Sequence, residues 1–245
     1  MSFQASVPYD YAFGVPGEIK YSGPTRVQPG FINSASAAYN IVGATIFTQA
    51  NSGGEVSAGG IIAAGVNFFG LLCNPKMYAS FGTTAGGPLA PTMTLPNLIS
   101  AEFLTEGYVV VTVPAACNIG DLLTYNTTTG AIATIAPYTS FTGDIAATSG
   151  VLTVSALAAG GYIGTGLPLT GTGVPAGTII TGWAGGGVNG GNGTYNTNIT
   201  TAVSSFTNGS TPNQASAGYA LVPGAVIDKF PQTAAGGIAL ARFTN

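Results

Sequence analysis

Carboxylates are the main candidates for chemistry in this chain, because it contains no histidine. Without histidine the chain cannot form a Ser-His-Asp or Cys-His arrangement or an imidazole metal site. It also lacks the residue that most often acts as a general base. The best-spaced acids are Glu102 and Glu106, which an extended strand places on one face. At a rise of ~3.3 Å per residue they lie roughly 13 Å apart, beyond the ~5 to 9.5 Å of glycosidase carboxylates. We predict that they are solvent or interface charges, and we assign no catalytic residue.

Residues 185–190 match the nucleotide-binding pattern G-x-G-x-x-G. That pattern binds phosphate where a helix follows and an acid lies about 20 residues further on. No helical pattern follows here and the next acid is Asp228, so we predict no nucleotide cofactor. Cys73 and Cys117 are too few for a zinc site or a disulfide framework, and we expect both thiols to be buried and inert. No metal and no other cofactor is predicted.

Two aromatic residues near Gly/Asn-rich stretches, Trp183 and Tyr195, suggest a carbohydrate contact. Aromatic rings can stack on a sugar, although a lone ring more often packs in a core. Both interpretations stay open at this point.

The low charge of the chain bears on its partners. Only 5% of the residues are charged, against roughly 25% in an ordinary soluble domain. Together with 46% hydrophobic residues, this favours a surface that is largely covered by neighbours, further copies of the chain among them. The net charge of −3 and the lack of a Lys/Arg cluster argue against nucleic acid as a partner.

Residues 56–73 carry no charge and need checking as a membrane span. Several glycines, Ser57 and Asn67 interrupt them, and Asn74-Pro75 follows directly. We therefore predict two buried strands joined by a Gly-containing turn, and no membrane partner. The N-terminus has neither a basic start nor an apolar segment, so we expect synthesis in the cytoplasm.

Short runs rich in Val, Ile, Thr and Phe, separated by turn residues, predict an all-β fold. Two of these runs, 122–125 and 131–135, flank a loop that ends in Gly130 and predict a hairpin. No stretch sustains apolar residues at helical spacing beside a charged face.

Composition divides the chain into four parts. Residues 1–40 are interrupted by four prolines and predict an extended N-terminal arm. Residues 41–147 form the first part of a β body, which residues 213–245 complete with a strand at 237–243. Between them, residues 148–212 are uncharged and read as an inserted small Gly/Thr-rich β module. The arm either wraps its own domain or reaches a neighbour, and its aromatic residues are the predicted partner contacts: Tyr9, Tyr11, Phe13, Tyr21 and Phe31.

Several segments, in order, resemble the structural cement (capsid decoration) proteins of tailed bacteriophages. They are VPGEI (15–19), GIIAAGVNFFGLLCNPKMYASFG (60–82), TLPN (94–97), PAACNIGDLLTYNTTTGAIAT (114–134) and the terminal AAGGIALARF. The most specific piece is the GD-x-x-x-Y…G hairpin with Gly120, Asp121, Tyr125 and Gly130. The uncharged insert departs from the pattern of the family.

The resemblance implies a β-sandwich or jelly-roll-like body and no enzymatic activity. It also implies a place on the outer surface of the phage capsid, after synthesis in the host bacterial cytoplasm. There the chain would bind the major capsid protein and brace neighbouring subunits, next to copies of itself. A competing hypothesis is a carbohydrate-binding adhesin or tail-associated β protein that uses the insert. A third is a polysaccharide-degrading enzyme that uses Asp and Glu alone.

Overall fold

The structure is a computed structural model that describes residues 14–20, 23–74, 93–233 and 236–244. Within these ranges the chain forms β-strands, one 3-10 helix at Ala37–Tyr39 and no α-helix, which confirms the predicted all-β class. No helix among them is long and apolar enough to cross a membrane. The strands are β1 (Ile19–Lys20), β2 (Arg26–Ile32), β3 (Ile46–Ala50), β4 (Glu55–Ala58), β5 (Val66–Leu72), β6 (Ser100–Val113), β7 (Leu122–Asn126), β8 (Ile132–Ile135), β9 (Tyr138–Ile145), β10 (Val151–Leu157), β11 (Ile180–Gly185), β12 (Gly193–Thr197), β13 (Val203–Pro212), β14 (Tyr219–Lys229) and β15 (Gly237–Phe243).

The body is one ten-stranded sheet that closes on itself at one end. Strands β2, β4, β3, β5 and β6 follow one another, and β6 returns to pair with β2, so these five strands form a small barrel. From β6 the sheet continues through β15, β14 and β7 to β8. The sequence predicted a β-sandwich or jelly-roll-like body. In the structure the body takes the form of a small barrel with a sheet extension. The predicted β7–β8 hairpin and the closing strand β15 are both confirmed.

Strand β6 belongs to both parts of the sheet. Its first half pairs with β2 and β5, and its second half pairs with β15 and β1. Gly107 lies between the halves with φ +125°, a backbone conformation that side chains other than glycine rarely adopt. The runs of β-forming residues at 98–104 and 108–113 are separated by this glycine in the sequence. Glycine lets one strand turn from the barrel into the extension without ending.

Each part of the body has its own apolar core. The barrel encloses ten buried residues, among them Phe47, Val56 and Phe103. The extension packs on a second cluster that includes Leu104, Val111, Tyr125 and both cysteines. Phe103 and Leu104 are neighbours in β6 and serve different cores, because successive side chains of a strand point to opposite faces.

The described residues between 14 and 40, predicted as part of an arm, lie against the body. Gly17 donates a backbone hydrogen bond to Val110 at 2.7 Å, and a Cβ at this glycine would clash with the side chain of Val42. Strand β2 is part of the barrel although it contains Pro29, a residue that weakens central strands. Since β4 reaches only Phe31 and Ile32, β2 has a single neighbour at the proline and loses no ladder hydrogen bond there.

A second sheet has the order β11-β12-β10-β9-β13 and comprises residues 138–212, which we call the inserted module. In the described chain no strand of this sheet pairs with the body sheet. Isolated bridges from Pro168 to Ile179 and from Thr170 to Ser210 connect its two edges around a core of its own. The sheet begins with β9, ahead of the residue 148 at which the uncharged composition placed the module.

Candidate partner-binding surface

The most specific sequence motif builds a structural hairpin. The side chain of Asp121 is buried and accepts a hydrogen bond from the backbone N–H of Asn118 at 2.8 Å. Next to it, the backbone N–H of Gly120 donates to the carbonyl of Ile227 in β14 at 2.8 Å. The Gly-Asp pair therefore closes the turn before β7 and attaches it to the neighbouring strand.

The remaining motif residues lock the far end of the same hairpin. The Tyr125 hydroxyl donates to the carbonyl of Gly60 at 2.9 Å, and burial raises the pKa of this phenol, so it remains a donor. Gly130 has φ +73°, and a Cβ there would clash with the carbonyl of Ile46. The motif residues therefore stabilise the folded hairpin and contribute no reactive group.

A polar cluster positions the loop before β6. The amide oxygen of Asn97 accepts from the backbone N–H of Ser34 at 3.2 Å and from the side chain of Asn40 at 2.9 Å. Its amide nitrogen donates to the carbonyl of Ser34 at 2.8 Å. These bonds fix the TLPN segment against the end of β2, directly before Leu98.

Leu98 extends into solvent from a strained backbone. It is 64% exposed and has φ +63°, and its N–H donates to the carbonyl of Ile32 at 2.8 Å. Left-handed backbone costs an ordinary L-residue about 1 to 2 kcal/mol, and glycine or asparagine would adopt it more readily. An exposed leucine held in this conformation is a candidate contact residue.

Leu98 adjoins a row of exposed apolar residues on β2. Val27, Pro29 and Phe31 occupy alternate positions of this strand and therefore share a face, and all three are exposed. We call Val27, Pro29, Phe31 and Leu98 the barrel strip. Of its members only Phe31 was predicted as a partner contact. Val27 and Phe31 are apolar residues at alternate positions, a pattern that could have predicted a strand with one apolar face. The prolines around them led instead to the interpretation as an arm.

Acidic residues border the barrel strip. Glu102 is the Cα partner of Pro29 in β6, and Glu55 is the Cα partner of Phe31 in β4. Both are exposed, and Glu55 accepts a hydrogen bond from Asn33 at 2.6 Å. A cleft of ≈ 310 Å³ opens beside Glu55 and is lined in part by Val56. The surface is thus apolar along the strand, with Glu55 and Glu102 beside it and the exposed Arg26 at the start of β2.

The other predicted contact residues fall in different places. Tyr9, Tyr11, Phe13 and Tyr21 lie outside the described residues. Tyr195 is 2% exposed in the core of the inserted module, where Trp183 packs edge-to-face on it with ring centroids 5.0 Å apart. The sugar contact assigned to Trp183 and Tyr195 stays a prediction, and a ring buried as deeply as Tyr195 has no free face to offer.

Reactive groups are not brought together in the part of the chain that is described. No three residues among His, Cys, Asp and Glu lie close enough there to hold a metal ion. Glu102 and Glu106 remain separate positions on β6, each opposite a residue of β2. Cys73 and Cys117 are buried free thiols, and burial raises the pKa of Cys73 to about 12.

An all-β body whose most specific sequence motif is a structural hairpin is typical of a structural protein. The comparison with protein families specifies which kind. The family described as structural cement protein of phages matches residues 3–244, so the chain belongs to that family and is a structural protein of the bacteriophage virion capsid. No curated protein shows a significant match to the chain.

Proposed function

We propose that this protein binds the outer surface of the phage head and braces neighbouring major capsid subunits, next to copies of itself. The observation that carries the proposal is the barrel strip, in which Leu98 and Phe31 are displayed on a closed barrel. A rigid support lowers the entropy cost of binding, because the contact residues are already ordered before the partner arrives.

Apolar burial supplies most of the binding free energy in this proposal. A phenylalanine presents roughly 150 to 250 Å², and Phe31 is 40% exposed, so covering it removes on the order of 80 Å² from water. At ~25 cal/mol per Å² this is about 2 kcal/mol per copy before the costs of association. Exposed ion pairs contribute only about 0 to 1 kcal/mol each.

Residues 1–13 extend this contact in the proposal. The chain enters the described body at Gly14, beside the edge strand β1. Tyr9, Tyr11 and Phe13 precede that point and add aromatic area, while Pro8 restricts the unbound chain. The segment then reaches a neighbouring subunit, whereas residues 14–20 anchor it to its own body.

Attachment to heads that lack this protein tests the role of the barrel strip. Phe31→Ala should weaken attachment about tenfold or more per copy. Tyr219→Ala is the matched control, because Tyr219 is 39% exposed on β14, away from the barrel strip, and its loss should leave occupancy unchanged. Equal occupancy of both variants, with the same thermal melting as the parent, would refute the role of the barrel strip.

Truncation and salt test the arm and the binding mechanism. Removing residues 1–13, and leaving the Gly17 anchor in place, should greatly weaken attachment while the isolated protein stays folded. Attachment of the intact chain should survive ~1 M salt, which reduces the screening length to about 3 Å and leaves apolar contacts in place. Full occupancy without the arm, or release of the intact chain by salt, would contradict the proposal.

A further inference from the structure

A second surface feature lies on the inserted module. A cleft of ≈ 580 Å³ opens beside β13, between residues 172–173 and 202–208. Its rim carries the exposed side chains of Thr172, Ser204, Ser205, Thr207 and Asn208. Phe206 is almost fully buried beside it and packs edge-to-face on Phe141 in the module core. The cleft therefore has polar, uncharged walls on an apolar support.

One side of the cleft is organised by an amide and a hydroxyl. Asn208 accepts a hydrogen bond from the backbone N–H of Thr172 at 3.0 Å, and its amide nitrogen donates to the Thr172 hydroxyl at 2.8 Å. The amide keeps one N–H and one lone pair unused, and the hydroxyl keeps its own proton. Both groups are exposed and fixed in orientation, so they can bond a ligand without being ordered first.

The backbone around the cleft is also held in place. Thr170 and Ser210 exchange two backbone hydrogen bonds of 2.9 Å, which attach the loop ahead of Thr172 to β13. Gly171 follows, and a Cβ there would come within 3.0 Å of the Phe206 ring. Close packing of this loop therefore attaches one wall of the cleft to β13.

The chemistry of the walls selects the class of ligand. No residue that lines the cleft is charged, and the exposed Asp144 of β9 lies opposite Ser204 and Ser205 in the sheet, so an anionic ligand would lose its hydration without gaining a counter-charge. Hydroxyl and amide groups at the rim would be left unpaired by an apolar ligand. Neighbouring sugar hydroxyls both donate and accept, which matches this set, and the volume lies within the ~300 to 1,000 Å³ of small-molecule sites.

We propose that the Thr172–Asn208 cleft binds a neutral carbohydrate. The site is separate from the barrel strip, so binding of sugar and binding of the capsid are independent functions of one chain. Because Tyr195 is in the core, the proposal rests on the hydroxyl and amide groups of the cleft and not on the aromatic pair of the module.

Binding of neutral oligosaccharides to the full-length protein tests the proposal. An array of neutral glucans, mannans and galactans, with sulfated and uronic-acid glycans beside them, should show binding to neutral members only. Titration calorimetry with the best neutral oligosaccharide should then show at least tenfold weaker binding for Thr172→Val and for Asn208→Leu. No binding to any neutral glycan at millimolar concentration, or a preference for acidic glycans, would overturn the proposal.

Two further variants separate loss of the site from loss of the fold. Asn198→Leu is the matched control, since Asn198 accepts from the N–H of Ile179 at 2.7 Å and donates to Gly177 outside the cleft. It should bind the oligosaccharide like the parent protein. Ser205→Trp fills the cleft from an exposed position and should abolish binding with an unchanged melting temperature. Full binding of the oligosaccharide by Ser205→Trp would refute the site, and so would a loss of binding in Asn198→Leu equal to that in Asn208→Leu. Attachment to the capsid should be the same in all four variants.

Discussion

Removal of the whole inserted module should leave the body folded. The backbone N–H of Asn213 donates to the carbonyl of Pro137 at 2.9 Å, so the two ends of the module meet. A linker of a few Gly and Ser residues can therefore replace residues 138–212 without moving either flank. Every strand within that range pairs only inside the module. The deletion consequently removes no hydrogen bond from the body sheet.

The expected change in stability is small and has a definite sign. Going from a short linker to a loop of the module's length is about four doublings, each of which costs ~0.6 kcal/mol in closure entropy. If the module unfolds at a lower temperature than the body, the folded body carries an unfolded loop of this length, and removal of the module then stabilises the body by about 2 kcal/mol. If the module stays folded when the body unfolds, its ends remain together and the change is close to zero. For a body of this size, 1 kcal/mol corresponds to roughly 2 to 4 °C.

Thermal unfolding followed by near-UV circular dichroism measures this effect. The melting temperature of the deletion variant should lie between that of the body transition in the parent and about 8 °C above it. A comparison variant that lacks residues 148–212 keeps β9 without its partners, which exposes Phe141 and Ile145. It should bind a hydrophobic dye and aggregate. Loss of a cooperative transition in the 138–212 deletion, or a fall of more than about 5 °C, would show that the body depends on the module.

Three further outcomes follow from the body. Since burial raises the pKa of Cys73 to about 12, its thiol should resist alkylation at pH 8 until the protein is unfolded, and fast labelling of the native protein would contradict its burial. The pKa of Tyr125 is also raised in the folded state, so the stability that its phenol contributes is complete below about pH 10 and is lost at higher pH. The melting temperature of the parent protein should therefore fall above this pH, and that of Tyr125→Phe should fall less steeply. Gly130→Ala should destabilise the protein by several kcal/mol more than Gly120→Ala, because both glycines have positive φ but only a Cβ at Gly130 meets the Ile46 carbonyl. Equal melting temperatures of these two glycine variants would contradict the predicted clash at Gly130.

The sequence alone determined the features that depend on local chemistry. Without histidine there was no common catalytic set to assemble, whatever the fold. Alternating β-formers and turn residues predicted strands because side-chain direction in a strand has a period of two. The hairpin around Tyr125 and Gly130 was predictable for the same reason, since a tight turn needs residues suited to its backbone angles. The order of such segments along the chain also pointed to the family that matches residues 3–244.

Tertiary structure alone decided what depends on pairing between distant segments. The proline of β2 suggested an arm, but Pro29 is tolerated in the barrel because it has one neighbouring strand. The composition change after Asp144 suggested a later start for the module, whereas its sheet needs β9 between β10 and β13. Leu98 becomes a surface feature only because Asn97 bonds to residues far along the chain. A strand's partners and a side chain's exposure are set by such long-range contacts, and local sequence carries little information about them.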